Sequence, residues 1–155
     1  MEAIQTPMPS PEALYDADVA RLCRLMPGSW DAHAEWLDSL SQRDRHLIVL
    51  QGFHGQVCNG GFEQWVENGY QANEGHVARL ALTRLEQHAQ RPELVRSARE
   101  LLEACAAAVA EHGVDRHGRL SDEGRDALYP LADRYYAFSD ELTTEIWRYF
   151  AHWAG

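Results

Sequence analysis

Lysine is absent from this chain: all fourteen basic side chains are arginines, set against twenty-four acids, for a formal charge of −10. Nucleic acid and anionic lipid both reward positive charge, so direct binding of either is disfavoured. Cysteine is scarce and odd in number. Cys23, Cys58 and Cys105 contain no CxxC pair, which argues against a disulfide framework and for reduced thiols in a cytoplasmic protein. Long apolar runs are missing too. "LIVL" at 47–50 and "ACAAAVA" at 104–110 fall far short of the roughly twenty residues of a membrane span. The opening "MEAIQTPMPSP" has neither the basic nor the apolar region of a secretory signal. Sustained two-residue alternation, the mark of strands, occurs nowhere.

What is present is helical. Apolar residues make up 45 % and charged residues 25 % of 155 residues, the proportions of one globular domain. Residues 1–11 hold three prolines and are expected to form a flexible arm, with a single compact domain of about six to eight helices over 12–155. Tyr15, Val19, Leu22 and Met26 trace one buried helix face, which Pro27-Gly28 ends. Ser29 opens a second helix carrying Trp30, Leu37 and Leu40. Ser41 opens a third over about 42–58, burying Leu47, Leu50, Phe53 or His54, and Val57, with Asn59-Gly60-Gly61 as its stop. A short helix "FEQWVEN" then runs to Gly69. Asn73 is the expected cap of the next helix, which buries Val77, Leu80, Ala81 and Leu85. Pro92 suits the first position of a helix closed by Gly113, with Leu94, Ala98, Leu101, Cys105 and Val109 inward. "VDRHGRLS" reads as a polar, flexible loop. Ser121 starts another helix, which Pro130 should kink or interrupt. Ser139 is the expected cap of the last, with Leu142, Ile146, Tyr149 or Phe150, and Trp153 facing inward.

The chemistry-bearing residues do not assemble into a catalytic signature. His54 and Cys58 stand at i and i+4, a spacing that zinc sites use, but two ligands do not make a site and no second pair exists. There is no nucleophile elbow and no phosphate-cradling loop, because Gly60-Gly61 lacks both a lysine and a preceding strand. Glu63 and Glu67 could share protons as acid and base, yet such pairs on an acidic helix are ordinarily solvated. No enzyme activity, metal or cofactor is expected. Carboxylates do recur at helical spacing: Asp31, Glu35 and Asp38 on the second helix, then Glu63 with Glu67. These five are the expected exposed acidic face. Arg96 with Glu100, and Arg99 with Glu103, are placed to pair at i and i+4.

The most distinctive segment is "GQVCNGGFEQWVENG", residues 55–69. Paired glycines permit positive φ and close approach of another chain segment. Phe62, Trp65 and Val66 form an apolar set, and Gln64 and Asn68 lie one turn apart. In Val57, Asn59, Gly60, Gly61, Phe62, Gln64, Trp65 and Asn68 the segment resembles a bacterial, all-helical family with a central N-N-G-G-F motif. "LADRYYAFSDEL" at 131–142 adds a weaker likeness, extending the resemblance over about 45–152. Cys58 stands where the family's first asparagine is usual, and Gln56 where an acid is common. The resemblance implies an all-α domain and, because the family includes acidic DNA mimics that bind a transcription factor, a basic or DNA-binding protein partner. An immunity or antitoxin-like inhibitor of a basic toxin fits the same charge, as does a small enzyme or metal protein less well. A homodimer is compatible with either binding role.

Overall fold

The computed structural model describes residues 7–153, so residues 1–6 of the expected arm lie outside it. Among the described residues there are seven helices: α1 (Pro11–Leu25), α2 (Trp30–Ser39), α3 (Gln42–Glu67), α4 (Tyr70–His88), α5 (Pro92–His112), α6 (Asp122–Tyr136) and α7 (Ser139–Ala151). The all-α expectation holds. None of the described helices is long and apolar enough to cross a membrane.

Local chemistry sets most of the boundaries. Ser10, Ser41 and Ser121 each accept a hydrogen bond from a backbone N–H three residues on, capping α1, α3 and α6. Pro11 and Pro92 occupy first-turn positions, where a missing N–H costs nothing. Two expected caps are replaced. Gly69, left-handed at φ 85°, precedes α4, and Asn73 lies inside that helix with its amide turned back to the Gly69 carbonyl. Phe138 rather than Ser139 caps α7, and Ser139 donates instead to the Tyr136 carbonyl. Pro130 does not interrupt α6. It sits on the solvent side, as does Asp126, so the carbonyl left without its helical donor can be hydrated. The 114–120 loop is drawn into a turn: Val114 and Leu120 form an isolated bridge, and Asp115 accepts from the N–H groups of His117 and Arg119.

α3 is the central element, packed against α1, α4, α6 and α7. Its Leu47, Leu50, Phe53, Val57, Phe62 and Trp65 are buried. Each such side chain contributes about 1.5–3 kcal/mol through removal from water. In α4 the buried stripe is Glu74, Ala78, Ala81 and Leu85, with Leu82 beside it, while Leu80 is 42 % exposed. The expected inward place for Leu80 fails because a carboxylate holds one position of the real stripe. On α5, Arg99 pairs with Glu103 as its spacing predicts, but Arg96 turns to Glu86 of α4 instead of Glu100.

The stop at Asn59-Gly61 becomes a kink rather than an end. Gly60 (φ −151°, ψ 21°) and Gly61 (φ 74°, ψ −173°) leave helical geometry, and the helix resumes at Phe62. A Cβ on Gly61 would lie 2.6 Å from Glu63 Oε2 and 3.4 Å from the Ala132 methyl of α6. Gly61→Ala should therefore cost about 1–3 kcal/mol, the usual penalty for forcing a side chain into this glycine-only region. Chemical denaturation reads this directly, and an unchanged midpoint would mean that the kink does not constrain the fold.

Candidate functional site

The kink gathers the motif residues into two layers. Beneath it lies an aromatic cluster: Phe53 meets Trp65 edge-on at 5.3 Å and Tyr135 edge-on at 5.6 Å, and Phe62 meets Tyr135 at 6.0 Å. Trp65 also stacks on Tyr70 and donates its indole N–H to Gln71 at 2.6 Å. Above it runs an amide network. Gln56 Oε1 accepts from Gln64 Nε2 (3.0 Å) and Asn68 Nδ2 (2.8 Å), tying the two halves of α3 together. Gln64 and Asn68 thus act within the chain, and only Asn59 of the motif's polar side chains is exposed without a partner among the described residues. Gln56, at the position where the family commonly has an acid, supplies a single acceptor to two amide donors.

Cys58 Sγ lies 3.7–3.8 Å from the His54 ring nitrogens, but both nitrogens have other partners. His54 Nδ1 lies 2.7 Å from the Tyr135 hydroxyl, and Nε2 lies 2.7 Å from Thr143 Oγ1. Thr143 already donates to the Ser139 carbonyl, so its oxygen accepts from His54 Nε2–H and Tyr135 donates to Nδ1. Burial lowers the His54 pKa and keeps this neutral form. Burial of the sulfur likewise raises the Cys58 thiol above its ordinary value, so it carries no sign of an activated nucleophile. Among the described residues no three His, Cys, Asp or Glu side chains are grouped to hold a metal ion.

The five carboxylates separate into two places. Asp31, Glu35 and Asp38 are exposed along α2. Asp31 and Glu35 have no ion pair among the described residues, while Asp38 comes within 4.0 Å of Arg45. Glu63 and Glu67 are only partly exposed and lie at the seam of α3 and α6. Glu67 is neutralised there. It accepts from Arg125 Nε and Nη2 at 3.0 and 2.9 Å and from the Leu120 N–H at 3.3 Å. Its helical spacing to Glu63 could not reveal an arginine reaching over from another helix. Glu63 remains without an ion pair, its carboxylate over Gly61.

Two buried ionisable groups escaped the sequence reading. His33 of α2 and Glu74 of α4 meet at 2.6 Å, both almost wholly buried. Burial pushes Glu74 up to about 8 and lowers His33, so near neutral pH the carboxylic acid donates to a neutral imidazole. Trp30 and Tyr70 pack over the pair. The available signal was positional: both residues sit where the apolar stripe of their helix requires an inward side chain.

Residues 38–153 match the profile of the DMP19-like protein family, well over half of the chain. The chain belongs to the DMP19-like family. No curated protein and no solved structure matches the chain. The DMP19-like region runs from the end of α2 through α7, so it includes the glycine kink, Glu63 and Glu67, whereas Asp31 and Glu35 lie outside it.

Proposed function

We propose that the protein is a non-enzymatic, acidic DNA mimic that occupies the DNA site of a DNA-binding protein such as a transcription factor. The observation that carries this reading is membership of the DMP19-like family, a family of DNA mimic proteins. The distribution of charge supports it. Many of the arginines are committed internally: Arg21 and Arg43 to Asp18 and Asp44, Arg96 and Arg99 to Glu86, Arg125 to Glu67, Arg148 to Glu145. Exposed carboxylates without an ion pair among the described residues, Asp31 and Glu35 among them, can act outward.

A helix rises about 1.5 Å per residue, so the α2 row places its carboxylates about 4.5–6 Å apart along the axis. Duplex DNA carries one charge per about 1.7 Å of axis. The row alone is too sparse, and the imitation draws also on carboxylates of the α3–α6 seam or on a second copy of the chain.

Competition tests the reading. A partner recovered from native lysate is loaded with labelled duplex, and the protein is titrated in. Displacement of the duplex in proportion to complex formed is the expected result; a stable ternary complex would leave a protein-binding role and remove the mimic. Combined Asp31→Arg and Glu35→Arg should slow association about tenfold at low salt and far less at physiological salt. Stability should fall by no more than about 1–2 kcal/mol, the cost of reversing the charge of Asp31 in the first turn of α2, since both side chains are exposed. Slowing that is the same at every salt concentration would contradict long-range steering.

A further inference from the structure

The kink in α3 leaves a groove against α6. It is lined by the backbone of Gly60 and Gly61 together with Glu63, Tyr129, Ala132, Asp133 and Tyr136. Tyr129 is 70 % exposed and Tyr136 43 %, an unusual display for two large aromatic rings seven residues apart on one helix face. Tyr136 is not loose: its hydroxyl donates to the Val57 carbonyl at 3.0 Å, which fixes the ring beside the kink. No arginine lines the groove, and neither Glu63 nor Asp133 has an ion pair among the described residues. Arg125, whose charge acts on Glu63, is committed to Glu67 by two hydrogen bonds.

We propose that this groove receives an arginine side chain of a basic protein partner, an inference that rests on the acidic-capture reading above and locates one contact within it. The walls combine the two things a guanidinium seeks. Carboxylates on α3 and α6 offer oxygen acceptors, and the tyrosine faces offer planar π surface. A guanidinium is flat and weakly hydrated, so it stacks on such faces while donating sideways; an ammonium is compact, strongly hydrated and lacks the fork. Glycine at 61 matters here as well, because a Cβ there would meet the groove residues Glu63 and Ala132. Duplex DNA is held in part by arginines of its binding proteins, and this groove would engage such a side chain after its release from phosphate.

The probes are fluorescent octa-arginine and octa-lysine peptides, equal in charge, titrated at low salt into the isotopically labelled protein. Octa-arginine should bind about threefold to fivefold tighter, as a partly exposed cation–π contact provides. Its addition should shift the Gly60 and Gly61 amide signals. Tyr129→Ala, an exposed substitution, should abolish that preference while both peptides still bind. Glu63→Gln with Asp133→Asn should weaken octa-arginine and erase the amide shifts. The control, Glu12→Gln with Glu100→Gln, removes two charges from helices that do not line the groove and should preserve the preference. Equal affinity for the two peptides, or a preference that survives Tyr129→Ala, overturns the groove and leaves acidic capture standing. Failure of both peptides to bind at low salt would overturn acidic capture and the groove together.

Discussion

Replacing Trp65 with alanine should destabilise the protein by about 3–5 kcal/mol, the range for emptying a fully buried tryptophan site. Trp65 has no exposed surface and lies between Phe53, edge-on at 5.3 Å, and Tyr70, stacked at 5.4 Å. It therefore joins the two halves of α3 to the start of α4. Truncation also strands Gln71 Oε1, which accepts the indole N–H at 2.6 Å. Trp65→Phe separates the two contributions. It retains most of the ring burial, so about 1 kcal/mol of its loss reflects the missing hydrogen bond, with a further cost from the smaller ring. Urea denaturation of the three proteins gives the comparison. Near-wild-type stability for the alanine variant would mean that the motif segment is a peripheral binding loop with no part in the core.

The second large effect concerns pH. Folding raises the Glu74 pKa from its ordinary 4.5 to about 8 by burial, so the folded state holds a proton that the unfolded chain releases over that window. The stabilising contribution is fully present below pH 4.5 and is lost as pH rises through about 8. Its slope approaches 1.4 kcal/mol per pH unit, about 2 kcal/mol between pH 6.5 and 8. The histidines act in the opposite direction. Burial lowers His33 and His54, and burial with the nearby charges of Arg84 and Arg45 lowers His46 to about 4. Unfolded histidines take up protons below pH 6.5 that these three resist, so acid erodes stability through them and offsets part of the gain from Glu74. Thermal melts should show stability declining as pH rises from about 6.5 through 8. Glu74→Gln keeps a hydrogen-bond donor for His33 and should flatten the alkaline decline and also remove the gain that Glu74 supplies on the acid side. An unaltered alkaline slope in that variant would show that Glu74 does not titrate in this window.

Among the carboxylates, local spacing had limited reach. The i, i+4, i+7 pattern of Asp31, Glu35 and Asp38 is a property of one helix, and all three are exposed. Glu63 and Glu67 have the same kind of spacing but face α6, where Arg125 takes Glu67. Nothing in the sequence around position 67 points to position 125, because the pair depends on how two helices pack. The same holds for Gln56, whose bonds to Gln64 and Asn68 require the kink to bring eight and twelve residues of separation onto one side.

By itself the sequence determined the all-α class, the helix starts at Ser41 and Ser121, the break at Gly60-Gly61 and the inward set of α3, whereas it assigned Ser10 and Pro11, the start of α1, to the arm. Each follows from chemistry within a few residues: a serine oxygen reaching a nearby N–H, a glycine without Cβ, a repeat of 3.6. Tertiary structure alone decided that Glu74 and His33 share a proton in the core, that Arg96 pairs across to Glu86, that α3 resumes after its kink, and that two tyrosines of α6 stand beside it. These are relations between elements far apart in the chain, set by which helix faces exclude water together, and no local period encodes them.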